Sequence, residues 1–288
     1  MIRALVVTLL LACAGTAGAA TVRHSQDLLR FVGKGEANRV TITEYGPDGF
    51  VIVDRAGGLR VRGDCFRDTG RRAQCPAGDR IHDTYARLGG GADRLSADLD
   101  PGDFRDRANG IDAFGGPGND RLTARGETVA LFRGEGGNDV LTAAPRLRSN
   151  HLTILWGGPG DDRLNGSETA IDMSGGPGND QLYARDGDEN DLLGGDGHDL
   201  LDLGDGGGNA FGGEGDDRIV GGPNPSLLRG EGGDDHIDAA DAGNDLITCG
   251  DGIDTVIVSP GDRFGRTGGN DEPHDAASWG CENVTPVA

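Results

Sequence analysis

Single branched aliphatic residues set among polar neighbours recur along the middle of the chain. Leu122, Leu141, Leu164, Leu182, Leu201, Ile219, Ile237 and Val256 lie 18 to 23 residues apart. A second series, Ala113, Phe132, Leu155, Met173, Leu192, Ala210, Leu228 and Ile247, runs nine residues ahead of the first. A strand sends alternate side chains to opposite faces, so one apolar residue in a short polar segment marks a strand with one inward side chain. Two such strands per period, stacked on copies of themselves, make a solenoid whose core is two side chains thick. The pattern predicts an all-β parallel solenoid, a β-roll or β-helix, over residues 88–257.

The flanks read differently. Within residues 20–87, residues 39–43 and 50–53 are rich in β-formers, and Gly46-Pro47-Asp48-Gly49 lies between them, which is a hairpin signature. Residues 59–62 read as a third strand leading into a loop bounded by Cys65 and Cys75. This N-terminal β cap is expected to cover the open edge of the first coil. Residues 258–288 are expected to form a C-terminal cap, with Cys281 returning to the last coil at Cys249. Residues 1–19 begin with basic Met1-Ile2-Arg3, continue as an apolar run and end in Ala17-Gly18-Ala19, the outline of a secretory signal peptide. The run is too short to span a bilayer, and no later stretch is apolar enough to do so. A secreted, extracellular location follows; the alternative is a lipoprotein acylated at Cys13, since Leu10-Leu11-Ala12-Cys13 resembles a weak lipobox. Loss of Cys13 leaves four cysteines, for which the disulfides Cys65–Cys75 and Cys249–Cys281 are expected. Neither a CxxC motif nor a close His pair supports zinc.

Composition sharpens the problem. Of 288 residues 54 are Gly and 38 are Asp, with 10 Glu, 26 Arg, one Lys and 13 aromatics, for a formal charge of −21. Gly and Asp disfavour a helical bundle. A surface this acidic excludes nucleic acid as a partner. High charge with few aromatics is normally the mark of disorder, so the positions of Gly and Asp decide the matter.

Those positions are periodic. Gly115-Gly116-Pro117-Gly118-Asn119-Asp120-Arg121-Leu122-Thr123 returns as residues 157–165 and 175–183, with further copies from Gly194, Gly212 and Cys249. Two variants place Glu135 and Glu231 second, and a degenerate first copy ends in Gly91-Ala92-Asp93-Arg94-Leu95. The unit resembles the GGxGxDxUx nonapeptide of RTX, or haemolysin-type, calcium-binding proteins. The resemblance covers roughly residues 88–257, and it implies calcium held between neighbouring turns.

The residues support the same chemistry. The sixth-position carboxylates are Asp120, Asp139, Asp162, Asp180, Asp199, Asp217, Asp235 and Asp254, one per coil. Glycine-rich turns free main-chain carbonyls to point at one spot, and the aspartate adds charge. Calcium accepts six to eight oxygens in irregular geometry, whereas magnesium demands a strict octahedron and zinc or copper prefer His or Cys. Successive turns stand about 4.8 Å apart, so an ion can be shared by two. Eight turns leave seven gaps, hence about seven Ca2+ ions along one edge, plus one near Asp93. On the other edge the equivalent places are Ile111, Ala130, Thr153, Ile171, Asn190, Gly208, Ser226 and Asp245. Only Asp245 and Asn190 offer ligands there, neither with a matching neighbour.

Catalytic signatures are missing from the sequence. It contains neither HExxH nor GxSxG, and its six His are isolated. The cleaved N-terminal leader also departs from the type I export of many RTX proteins. The expectation is a non-enzymatic, calcium-folded structural or interaction module. Its alternatives are a solenoid enzyme acting on polysaccharide and a calcium-dependent adhesin, with an extracellular glycan or cell surface as partner.

Overall fold

The computed structural model describes residues 19–25, 28–44, 49–56, 59–63, 65–76, 83–99, 110–145, 152–169, 171–187, 189–265 and 280–287. The leader expected over residues 1–19, with Cys13, lies outside them apart from Ala19. Among the described residues every regular element is a strand, and the strands form two sheets of 13 and 14. The fold is an all-β parallel solenoid.

The roll begins with β8 (Asp83–Arg87) and β9 (Arg94–Asp98), followed by β10 (Gly110–Pro117) and β11 (Arg121–Arg125). β10 lies parallel to β8 in one sheet and β11 parallel to β9 in the other, and each later coil adds one strand to each sheet. The register places Leu122 opposite Leu141, then Leu164, Leu182, Leu201, Ile219, Ile237 and Val256 in turn. In the facing sheet Ala113, Phe132, Leu155, Met173, Leu192, Ala210, Leu228 and Ile247 are likewise stacked. All sixteen side chains are buried. Side chains of one register column point the same way, so the two series fill the space between the sheets from opposite sides.

The N-terminal strands extend both sheets. β1 (Ala20–Ser25) runs antiparallel to β2 (Leu28–Val32), and β2 lies parallel to β8. β3 (Arg39–Glu44) forms the expected hairpin with β4 (Phe50–Asp54), and β3 lies parallel to β9. β5 (Leu59–Gly63), the anticipated third strand, crosses to the other sheet and pairs with β1. β6 (Phe66–Thr69) and β7 (Arg72–Cys75) close the hairpin sheet, with Cys65 bonded to Cys75. The core of this unit is bulkier than that of the roll, with Val22, Leu29, Phe31, Val40, Ile42, Phe50 and Ile52 all buried. At the far end Arg263–Phe264 joins one sheet and Asn283–Pro286 the other, and Cys249 is bonded to Cys281.

Candidate metal centre

Each turn between a strand of the first sheet and the next strand of the second is built around one contact. A Cβ added to the first-position residues Gly115, Gly134, Gly157, Gly175, Gly194, Gly212 or Gly230 would stand 2.0–2.4 Å from Oδ2 of that turn's own sixth-position aspartate. At these seven turns glycine leaves the carboxylate room to fold back over the main chain, while Leu88 and Cys249 hold the first place in the turns of Asp93 and Asp254. The second and fourth positions turn the backbone through positive φ, as at Gly116 (107°) and Gly118 (138°). Glu135 and Glu231 hold the same left-handed conformation at φ 77° and 79°, without glycine's freedom.

The aspartates form a continuous column. Asp93, Asp120, Asp139, Asp162, Asp180, Asp199, Asp217, Asp235 and Asp254 are each 0–3% exposed. Oδ1 of each, from Asp120 onward, accepts the main-chain N–H of the aspartate one coil earlier, at 2.7–2.9 Å. Oδ2 of every one of the nine has no hydrogen-bond partner. At Gly115 the point 2.3 Å from Asp120 Oδ2 is also 2.7 Å from Gly134 O of the next coil, so two acceptors converge with no donor between them.

That arrangement is costly for a bare carboxylate. Burial pushes Asp139 and Asp199 up to about 6, Asp120, Asp180, Asp217 and Asp235 to about 7, and Asp162 to about 8. The main-chain hydrogen bond to Oδ1 opposes each rise, while adjacent carboxylates add to it at Asp120, Asp162, Asp180, Asp217 and Asp235. Asp93 and Asp254 are also raised, again chiefly by burial. A cation is the group this geometry lacks: it satisfies the orphaned Oδ2 atoms, screens the column and draws on neighbouring carbonyls. Among the described residues no three His, Cys, Asp or Glu side chains gather at one point. A bound ion therefore needs main-chain oxygens as well as carboxylates, a donor set that suits calcium and not zinc.

The family described as RTX calcium-binding nonapeptide repeat matches the chain in four copies, over residues 154–168 and 211–241. The chain carries RTX calcium-binding repeats. The matched stretches contain the turns of Asp162, Asp217 and Asp235. The turns of Asp120, Asp139, Asp180, Asp199 and Asp254 share their strand register and their aspartate column. Neither the curated proteins nor the solved structures contain a match to the chain.

The structure places all eight sequence-predicted aspartates in one column and adds members at both ends. Asp93 joins it at the start, and at the finish Asp254 N–H donates to Glu282 Oε2 at 2.9 Å. A second, exposed ladder had no counterpart in the sequence reading. Fifth-position Asn119, Asn138, Asp161, Asn179, His198, Asp216 and Asp234 each accept the main-chain N–H of the same position one coil later. The two ladders run in opposite directions. The clue was present, since the fifth place almost always holds a short side chain with an acceptor.

One expectation for the opposite edge needs correction. Asp245 does have a matching neighbour: its N–H donates to Asp262 Oδ1 at 3.0 Å, while its own Oδ1 accepts Ser226 N–H at 2.8 Å. Asp262 lies in residues 258–288, beyond the last glycine-rich repeat. Burial, with Asp241 and Asp262 adding to it, pushes Asp245 up to about 7. At the same edge Asn190 instead donates from Nδ2 to Gly207 O at 3.2 Å, using an amide where Asp245 presents a charge.

Proposed function

We propose that this is a secreted, non-enzymatic module that folds on binding calcium and then presents a rigid β-solenoid as a structural or interaction surface. The observation that carries the reading is the column of nine buried aspartates, each with one orphaned oxygen. Asp93, Asp120, Asp139, Asp162, Asp180, Asp199, Asp217, Asp235 and Asp254 hold the ions, with carbonyls of the glycine turns. Nine aspartates leave eight gaps between neighbours, so about eight ions fill the row. Bound calcium supplies the positive charge that lets these carboxylates stay ionised while buried. The protein's own contribution is geometric: first-position glycines admit the carboxylates, and the Oδ1 ladder fixes their orientation. The apolar leader-like start and the two disulfides support an exported location. Counting bound calcium per chain by equilibrium dialysis tests the reading; a chain that binds none refutes it.

One face of the first sheet supports a glycan as partner. On the outer face of the first sheet Arg87, Phe114, Arg133 and Trp156 share one register column. The Arg133 guanidinium lies 4.6 Å from the ring centres of both Phe114 and Trp156, and Arg30 lies 5.1 Å from that of Tyr85. Arg133 also donates to Asp112 at 2.7 Å, which holds its plane in place. Trp156 remains 42% exposed. Rigid aromatic rings offer stacking surface for sugar rings, and guanidinium groups donate to hydroxyl or carboxylate oxygens. Glycan-array binding with calcium present, abolished by Trp156→Ala, is the expected result; unchanged binding by the variant removes this face from the proposal.

A further inference from the structure

The first turn of the row carries an amide where the later turns carry an aspartate. Residues 33–41 read Gly-Lys-Gly-Glu-Ala-Asn-Arg-Val-Thr, which lacks the aspartate and two of the glycines that mark the repeats. The register nevertheless places them in the same series, because Arg39 pairs with Arg94 and Val40 with Leu95. Asn38 therefore occupies the sixth position, one coil before Asp93, and is 6% exposed. Its N–H donates to Asp93 Oδ1, as each later aspartate donates to the next.

The side chain is where the turns diverge. The two protons of Asn38 Nδ2 are ringed by four acceptors, Glu36 O at 2.7 Å, Leu88 O and Asp93 Oδ1 at 2.9 Å, and Lys34 O at 3.3 Å. A Cβ on Gly33 would stand 2.9 Å from Asn38 Nδ2 and 2.0 Å from Leu88 O. A Cβ on Gly115 would stand 2.3 Å from Asp120 Oδ2 and 2.7 Å from Gly134 O. The Asn38 amide nitrogen thus sits where the aspartate turns place an orphaned oxygen. It supplies protons to Leu88 O, the counterpart of Gly134 O at the Asp120 turn, and to Asp93 Oδ1, while Asp93 Oδ2 keeps no partner.

We propose that Asn38 is an amide stand-in for calcium, which makes the N-terminal unit a calcium-independent template on which the ion-dependent coils assemble from Asp93 onward. The inference rests on the calcium reading for the later turns. Other features of the unit fit a part that folds first. Its antiparallel pairs β1–β2, β3–β4 and β6–β7 join neighbours in sequence, and it holds its own disulfide and the bulky side chains Phe31, Ile42, Phe50 and Ile52. The row is polar along its length: a neutral amide starts it, and the carboxylate of Glu282 ends it.

The test uses the full chain. Hydrogen exchange in excess chelator at pH 7.5 is expected to protect amides of β2, β3 and β4 at least tenfold over those of β10, β11 and later strands. Asn38→Asp, compared in calcium, is expected to bind one more ion than the wild type and to lose the protection of β3 in chelator. The converse variant, Asp93→Asn, is expected to bind at least one ion fewer and to extend chelator-resistant protection to β8 and β9. Uniform lack of protection across the wild-type chain in chelator overturns the proposal. So does an Asn38→Asp chain that keeps both its calcium count and its protection. A wild-type chain that binds no calcium yet protects β2–β4 would sink the calcium reading and leave the amide closure standing.

Discussion

Asp180→Ala removes the centre of one rung and should show what a single column member is worth. Asp180 Oδ1 accepts Asp162 N–H at 2.7 Å, and its own N–H donates to Asp199 Oδ1 at 2.7 Å. Deleting the carboxylate strands the Asp162 N–H in a buried site, at about 1–3 kcal/mol, and takes one charged ligand from each of the two flanking gaps. A loss of about 3 kcal/mol, spread over about eight ions that bind only the folded chain, raises the calcium midpoint of folding about twofold. At saturating calcium the melting temperature should fall by about 6–12 °C, and one or two ions should be lost. Asp161→Ala is the control next door. Asp161 is exposed and its Oδ1 accepts Asn179 N–H at 3.0 Å in the outer ladder, so the cost should stay near 0.5 kcal/mol. The assay is a calcium titration followed by far-UV circular dichroism, with calcium counted by dialysis. Equal shifts for the two variants would refute the assignment of the buried column as the ion row.

Further outcomes follow from the same geometry. Carboxyls raised by burial bind protons more tightly in the fold than in the unfolded chain. The ion-free fold is therefore favoured below about pH 4 and loses that support as pH rises through 6 to 8; dichroism in chelator should show more β structure at pH 5 than at pH 8, and identical spectra would contradict this. Glu135→Gly and Glu231→Gly relieve a left-handed backbone and should each raise the melting temperature in calcium by an amount worth about 0.5–1 kcal/mol, net of glycine's entropy; a fall would mean the Glu carboxylates assist the ions. Reducing Cys249–Cys281, which spans 32 residues, should cost the last coil about 3–4 kcal/mol and expose residues 280–287 to proteolysis, with the N-terminal strands unaffected.

Legibility in the sequence tracked how strongly sterics constrain each place. The Leu122 and Ala113 columns were readable because an inward strand position tolerates only apolar residues, and they recur every 18 or 19 residues but for one longer step. The aspartates were readable because glycines recur with them in the turn, and at seven turns a first-position glycine makes room for Oδ2. The outer ladder escaped notice because Asn, Asp and His all accept one hydrogen bond there and solvent tolerates any of them. Asn38 was hidden because an amide-closed turn can dispense with the motif's Asp, and Lys34 and Glu36 stand where the motif has glycine. β5 reads correctly as a strand, yet nothing local in residues 59–63 tells which sheet it joins; that is decided by pairing with β1. The 23-residue step from Asp139 to Asp162 holds an insertion, of which residues 146–151 lie outside the described part of the structure.

The central claim is that calcium makes this acidic, glycine-rich chain fold. Ionising a carboxyl held at about 7 in place of 3.8 costs about 4 kcal/mol at neutral pH. Several such costs together exceed the net stability of an ordinary domain, about 5–15 kcal/mol. Far-UV circular dichroism of the full chain at pH 7.5, from excess chelator into millimolar calcium, tests the claim most directly. A largely disordered spectrum that turns into a β spectrum as calcium is added is the predicted result. A complete β spectrum in chelator, unchanged by calcium, would contradict the account.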